Sequence, residues 1–248
     1  MERVCIQNKE SRVGAKTKYL IGADGLTSLI RRKMRPQDFE KKASGATMDY
    51  FFEGDADLDP NTLYMIHRRE FSPLMFAWAF MKDDLWVIGT GANKNPIKYA
   101  ERFYNYVKKR YRLQGEVVKK IGFSSTLKSG VYLGKKNLLM VGDAAGLVDL
   151  YRGLGMDNAA LSGRLAARAI IGAEETERPA IEIYENLMKK IVRRLKTNEK
   201  KQAKRYSSNE SLERSFATPI LLKGGIQMLI ANQINRLLPP EGVIMLPF

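Results

Sequence analysis

The sequence predicts an α/β (α+β) fold in which a strand–turn–helix framework is interrupted by an antiparallel sheet and followed by a helical C-terminal part. Three observations predict it. Two short apolar runs, Tyr19-Leu20-Ile21 and residues 138–141, suit buried strands, and each ends abruptly in a turn built from Gly and Asp that opens toward a helix. Between them lie short segments rich in aromatic and apolar residues, divided by polar or Pro/Gly-containing turns. After the second run, apolar residues recur at helical spacing.

Composition bounds the function. With 248 residues and 44% hydrophobic content the chain can bury a real core in one large or two modest domains. The single cysteine, Cys5, excludes an intrachain disulfide framework. With His67 as the sole histidine, a Cys/His metal site or a His-rich catalytic centre is not expected, and a reducing cytoplasm is the natural compartment. A formal net charge of +15 and a pI near 9.8 favour anionic partners: phosphorylated cofactors, anionic membrane surfaces or nucleic acid. Residues 1–12 are polar and charged and no apolar run is long enough to cross a bilayer, so a soluble or peripheral protein is expected.

In chain order, residues 3–7 and 12–17 form a hairpin around Lys9-Glu10-Ser11 and lead into the strand at Tyr19-Leu20-Ile21. An Asp24-Gly25 turn follows, with Thr27 or Ser28 placed to cap a short helix. Residues 46–52, 62–66, 75–80 and 85–89 read as strands of an antiparallel sheet, with Met81-Lys82-Asp83-Asp84 as a hairpin connection. Alternation puts Phe76, Trp78 and Phe80 on one face of their strand and Ala77 and Ala79 on the other; such an aromatic face either grips a long apolar substrate or packs against helices. Residues 97–112 are helical in pattern, with Pro96 at the start and Tyr99, Phe103, Tyr106 and Val107 on one face. His67, beside Arg68 and Arg69, is read as a packed or solvated histidine rather than a phosphate ligand.

The second apolar strand ends at Gly142-Asp143, glycines follow at 146, 153 and 155, and Ala159, Ala160, Leu161, Leu165, Ala166, Ala169 and Ile170 then mark a helix. The first N–H groups of a helix lack intrahelical partners and the peptide dipoles sum to a positive end there. Gly153-Leu154-Gly155 would let an electron-rich group approach that backbone, and a carboxylate at Asp143, at the carboxyl end of a strand, suits sugar or polyol hydroxyls. Residues 182–205 form a strongly basic helix with Ile183, Leu187, Ile191 and Leu195 recurring at about one turn; its charged face is either solvated or attached to an anionic membrane, where each Lys or Arg is worth about 1 kcal/mol. Residues 219–238 are apolar but broken by Lys223, Gly224, Gly225 and Arg236, which suits an amphipathic or core helix, and 241–248 form an apolar tail containing Pro247.

Gly142-Asp143-Ala144-Ala145-Gly146, Arg152-Gly153-Leu154-Gly155-Met156 and the small-residue helix from Ala159 to Ala167 together resemble the second flavin motif of the FAD-dependent oxidoreductases with the para-hydroxybenzoate hydroxylase fold. Within that group the chain most resembles the geranylgeranyl reductases. Gly22-Ala23-Asp24-Gly25-Leu26-Thr27-Ser28, running on to Arg31, resembles the family's other flavin motif. The resemblance implies FAD as cofactor, held at the ribityl chain by Asp24 and Asp143 with Gly25 and Gly142 beside them. It puts Gly153, Leu154, Gly155 and Met156 at the pyrimidine end of the ring, with Ser28 and Arg31 supporting the first turn. Phe76, Trp78 and Phe80, followed by Gly89-Thr90-Gly91, resemble the family's Tyr-x-Trp-x-Phe-Pro strand and its closing Gly-x-Gly, which imply a channel for an isoprenoid chain; Phe76 replaces Tyr and Met81 replaces Pro. Leu150, after Asp149, stands where the family often has Pro.

The implied activity is FAD-dependent reduction of carbon–carbon double bonds in an isoprenoid (geranylgeranyl) lipid, with no catalytic proton donor identified. The implied organisation is a first FAD-binding part at 1–35, an antiparallel substrate-binding insertion at 36–130, a second FAD-binding part at 131–175 and a helical region at 176–248. No strand followed by G-x-G-x-x-G precedes Gly22, so the segment for the ADP half of FAD is expected to be missing. The expectation is a fragment, a fold completed by a partner chain, or a chain that binds flavin weakly alone. Alternatives are a flavin monooxygenase of the same fold, and a truncated non-catalytic remnant or basic membrane-associated module acting through residues 189–205. The expected partners are an apolar substrate and a peripheral membrane surface, not nucleic acid.

Overall fold

The computed structural model describes residues 2–7, 12–40, 45–125 and 130–217. The turn at 9–11 and the apolar stretches at 219–238 and 241–248 therefore lie outside the described residues. Strand β1 (Glu2–Gln7) pairs antiparallel with β2 (Arg12–Thr17), from Glu2↔Thr17 to Gln7↔Arg12. Strand β3 (Leu20–Gly22) follows, and its turn feeds helix α1 (Leu29–Met34).

The antiparallel sheet has five strands: β4 (Gly45–Asp55), β5 (Tyr64–Ile66), β6 (Ala77–Lys82), β7 (Leu85–Ala92) and β8 (Gln114–Ser125), in spatial order β5-β6-β7-β4-β8. Asp83 and Asp84 join β6 to β7 with φ of 51° and 60°. Two successive positive φ values match the right-handed twist of a hairpin, and aspartate tolerates them better than most residues. Helix α2 (Pro96–Arg110) covers one face, burying Phe103 and Val107 against Phe52, Ala77, Ala79, Trp86 and Ile88. The expected alternation along β6 therefore holds, with both alanines beneath α2. Strand β8 is absent from the sequence reading. Its Val117-Val118-Lys119-Lys120 places like residues in pairs, which erases the period of two, and Val118 is exposed.

The second sheet is small, with β10 (Leu138–Met140) between β3, which it meets in parallel, and β9 (Gly134–Lys135), which it meets antiparallel. Every residue of β10 is buried, as its unbroken apolar run requires. Helices α3 (Met156–Thr176) and α4 (Ala180–Arg205) pack on it, and α5 (Asn209–Ala217) follows. Leu139 and Met140 meet Leu165, Ala166 and Ala169 of α3 and Tyr184, Met188, Ile191 and Leu195 of α4. The Tyr184 hydroxyl donates to the Met140 carbonyl at 3.0 Å, satisfying a polar group inside that core. The buried stripe of α4 is rotated from the expected one: Ile183 and Leu187 flank it, while Ala180, Tyr184, Met188, Ile191, Leu195, Asn198 and Gln202 fill it. Among the described residues no helix is long and apolar enough to cross a membrane.

Candidate flavin and substrate cleft

The parallel pairing of β3 and β10 sets Gly22 opposite Met140, and the Val141 N–H donates to the Gly22 carbonyl at 3.0 Å. Asp24 and Asp143 thus leave the sheet at the same carboxyl edge, although more than a hundred residues separate them in the chain. Asp24 is exposed and works locally: its Oδ2 accepts from the backbone N–H of Leu29 at 2.8 Å and of Ile30 at 3.2 Å. Partial burial pushes the Asp24 carboxyl up, but hydrogen bonds from Ser28 and from the Ile30, Asp24 and Leu29 amides outweigh it and hold the group below its ordinary value. Ser28 caps the same helix, its Oγ accepting from the Arg31 amide at 2.9 Å.

Arg31 joins the two motifs. Its side chain is buried and donates to the carbonyls of Gly130 at 2.8 Å and Ala144 at 3.4 Å, while Nε reaches Asp38 at 3.0 Å. The supporting role expected for Ser28 and Arg31 is thus a physical clamp, since Ala144 belongs to the Asp143 turn.

Residues 142–145 form a 3-10 turn that ends at Gly146 in the left-handed region. The Gly142 amide donates to Ser162 Oγ on α3 at 2.9 Å, which docks the turn on the helix. Asp143 is half-buried, and among the described residues no donor meets its carboxylate. Burial raises its carboxyl above the ordinary value. Gly155 caps α3 with no side-chain hydrogen bond, and a Cβ there would stand 3.2 Å from Asp143 Oδ1. A carboxylate and the glycine start of α3 therefore face one space. Gly153 has φ of 69°, and a Cβ on it would lie 2.4 Å from Phe76 Cε1, so both backbone and packing require glycine.

The loop carrying Gly153 is held by a buried polar network that sequence reasoning missed. Asp149 is 1% exposed; its carboxylate accepts from Arg152 Nε and Asn198 Nδ2, each at 2.8 Å. Asn158 donates to the Leu147 carbonyl at 2.8 Å and accepts from Arg194 at 2.7 Å. The available signal was an Asp three residues before an Arg at the glycine turn, and two amides, Asn198 and Gln202, in the buried stripe of a basic helix.

A cavity of about 320 Å³ opens between this turn and the antiparallel sheet, lined by Leu26, Thr47, Met75, Phe123, Asp143, Leu150 and the run Gly153-Leu154-Gly155-Met156. Phe123, Leu154 and Met156 are 62%, 47% and 82% exposed, an apolar rim that water alone does not favour. Of the residues singled out from sequence, Asp143 and Gly153 to Met156 stand in the wall. Asp24, Gly25 and Gly142 lie behind it at the strand ends, where Leu26 represents their turn. Phe76, Trp78 and Phe80 are outside the wall: Phe76 packs on Gly153, with its ring 6.1 Å from that of Trp78. The Trp78 indole N–H crosses Gly89 to donate to Asp49 Oδ1 at 2.8 Å, and a Cβ at Gly89 would fall 2.0 Å from that oxygen. His67 is packed, with Nδ1 2.8 Å from the Tyr206 hydroxyl and its ring 5.5 Å from Phe76. Burial, then the nearby Arg205 charge, lowers its pKa to about 4.

No protein-family model matches the chain. It is 26% identical over 200 residues to the digeranylgeranylglycerophospholipid reductase of Methanocella arvoryzae, covering 75% of this chain and 50% of that protein. It is 30% identical over 164 residues to digeranylgeranylglycerophospholipid reductase 2 of Methanothermobacter thermautotrophicus, covering 61% of this chain and 41% of that one. In sequence the chain is thus similar to digeranylgeranylglycerophospholipid reductases. A geranylgeranyl bacteriochlorophyll reductase-like structure from Thermoplasma acidophilum superposes with a TM-score of 0.68 at 22% identity, over 82% of this chain and 56% of that one. A probable FAD-dependent monooxygenase from Pseudomonas aeruginosa follows the same path with a TM-score of 0.53 at 15% identity, over 81% and 59%. The chain therefore shares its fold with these two structures, and it spans about half the length of the curated relatives it matches.

Proposed function

We propose that the chain holds the flavin of FAD in this cleft and reduces carbon–carbon double bonds of an isoprenoid lipid. The observation that carries the proposal is the unpaired Asp143 carboxylate facing the uncapped glycine start of α3, in a cavity whose remaining wall is apolar. Those residues fit a flavin: Asp143 accepts from ribityl hydroxyls, the first amides of α3 meet the electron-rich edge of the ring, and Leu150 and Leu154 exclude water. When bound, the flavin supplies the hydride. Thr47, Met75 and Phe123 on the sheet side give the prenyl chain an apolar bed, which suits a lipid of the kind named for the relatives. The exposed stripe of Lys189, Arg193, Lys196 and Lys200 along α4 supports peripheral attachment to an anionic membrane, at about 1 kcal/mol per cation near the lipid surface.

The test is an absorbance spectrum of the purified chain with and without added FAD, followed by anaerobic reduction and incubation with a geranylgeranylated glycerophospholipid. The expected result is a bound-flavin spectrum and product that is heavier by two hydrogens for each double bond reduced. A colourless chain at saturating FAD, or one that instead consumes oxygen with NAD(P)H and hydroxylates small aromatics, overturns the reading.

A further inference from the structure

On the open face of the antiparallel sheet the side chains stand in rows across the strands. Thr47 of β4 lies between Gly91 of β7 and Phe123 of β8, and Thr47 and Phe123 line the cavity. One pleat further, Asp49 lies between Gly89 and Ile121, with Trp78 beyond Gly89 on β6. The space over these glycines is filled, by the Trp78 indole and the Asp49 carboxylate at Gly89 and by Met75 at Gly91, so Asp49 stands one pleat from the cavity wall at Thr47. Asp49 is half-buried there. Oδ1 accepts the Trp78 indole N–H, and Oδ2 has no partner among the described residues.

The groups facing Asp49 are almost all uncharged. Strands β6 and β7 present Trp78, Phe80, Gly89, Gly91 and Val87, β4 presents Thr47 and Phe51, and β8 presents Ile121 and Phe123. The one cation on this face of β8 is Lys119, opposite Phe51, with its ammonium 5.7 Å from that ring. Burial raises the carboxyl above its ordinary value, and the Trp78 bond only partly offsets this. A carboxyl in apolar surroundings, fixed through one oxygen and open at the other, is arranged as an acid rather than as an ion-pair partner.

We propose that Asp49 is the acid that protonates the prenyl double bond, held in place by Trp78 across Gly89. This rests on the reductase reading and supplies the proton source it lacks. In the balanced step one alkene carbon gains a hydride from a reduced flavin. The alkene π pair forms a C–H bond with the Oδ2 proton at the other carbon. Asp49 is left as carboxylate and is reprotonated from water.

The experiment compares wild type, Asp49→Asn and Trp78→Phe as full chains loaded with FAD and reduced anaerobically, with reoxidation by a geranylgeranylated glycerophospholipid in mixed micelles followed through the flavin absorbance. Asn keeps an acceptor for the indole but has no acidic proton, so Asp49→Asn is expected to slow reoxidation by about 100-fold or more, the range of general acid catalysis, with FAD affinity unchanged. Trp78→Phe keeps the acid but frees it, and a smaller loss is expected. An independent readout needs no substrate: with Trp86→Phe, Trp78 is the only tryptophan, and its fluorescence should titrate with a midpoint above the ordinary 3.8 of aspartate and stop doing so when Asp49→Asn is added. Asp49→Asn reoxidised at the wild-type rate, or Trp78 fluorescence without such a midpoint, overturns the proposal while leaving the reductase reading intact. Wild type that reduces no prenyl chain overturns both.

Discussion

Asp24 and Asp143 occupy matching strand ends yet carry opposite electrostatic loads. Asp24 is stabilised as an anion by the start of α1, so its removal takes away a helix cap and is expected to cost about 1 kcal/mol in urea unfolding. Asp143 is half-buried with its carboxyl raised, so it penalises the folded state at pH values above its folded pKa. Asp143→Ala is therefore expected to raise the melting temperature of the flavin-free chain at neutral pH. That gain should shrink as the pH falls and the wild-type carboxyl is protonated, while FAD affinity drops by about tenfold or more, roughly 1.4 kcal/mol. A variant that melts earlier and binds FAD normally would assign Asp143 to structure alone. Arg31 gives a third case. Its side chain and that of Asp38 are 4% and 6% exposed in their 2.9 Å ion pair. Arg31→Met leaves Asp38 only the more exposed Arg35 at 3.2 Å, so a loss of about 3 kcal/mol is expected by denaturant titration.

At the scale of elements, glycines that look alike in sequence separate by their surroundings. Gly163 lies inside α3 with nothing within 4 Å of an added Cβ, so Gly163→Ala should stabilise by about 0.5–1 kcal/mol through helix propensity. Gly153→Ala meets both a φ of 69° and the Phe76 ring, so it should destabilise and weaken flavin binding together; differential scanning calorimetry with and without FAD distinguishes the two variants. The same contrast explains what the sequence made legible. Strands β3 and β10, their Asp-containing turns and α3 were readable because an apolar run, a turn and a helical period coincide within a few residues. Trp78 and Phe80 stand together on the face of β6 away from α2, while Phe76 precedes the strand, and alternation gives a face and not a neighbour. That Met75 and Phe123 reach the cavity, and that Trp78 turns toward Asp49, depends on pairing between strands distant in sequence. Strand β8 and the Asp149 network were illegible for a related reason. The first has no regular period, and the second uses polar side chains whose burial is decided by tertiary contacts.

For the molecule as a whole, α4 is the element that couples the two sheets. Its middle packs under β10, while near its C-terminal end Asn198 holds Asp149 of the glycine loop and Gln202 donates to the Leu74 carbonyl before β6. Just beyond it, Tyr206 meets His67, which follows β5 and packs on Phe76. This seam has a sign in pH. The folded pKa of His67, about 4, lies below its ordinary 6.5, so the folded state favours the neutral ring. Its contribution is unaffected above about pH 6.5 and is lost progressively as the pH falls from there toward 4, where the unfolded chain takes up a proton that the native seam resists. A chain already at +15 adds self-repulsion in the same direction, but that term is long-ranged and is screened by salt, whereas the His67 term is set by burial first and then by the adjacent Arg205. Melting temperatures measured from pH 7 to pH 4 in high salt should therefore still fall in the wild type and fall less in His67→Gln, whose amide retains a partner for the Tyr206 hydroxyl. Parallel curves for the two proteins would move the acid sensitivity away from this seam. Because His67 and Gly153 contact the same Phe76 ring, the glycine loop should loosen over the same pH interval, and FAD affinity, which protonation of Asp143 lowers in both proteins, should decline more steeply in the wild type than in His67→Gln.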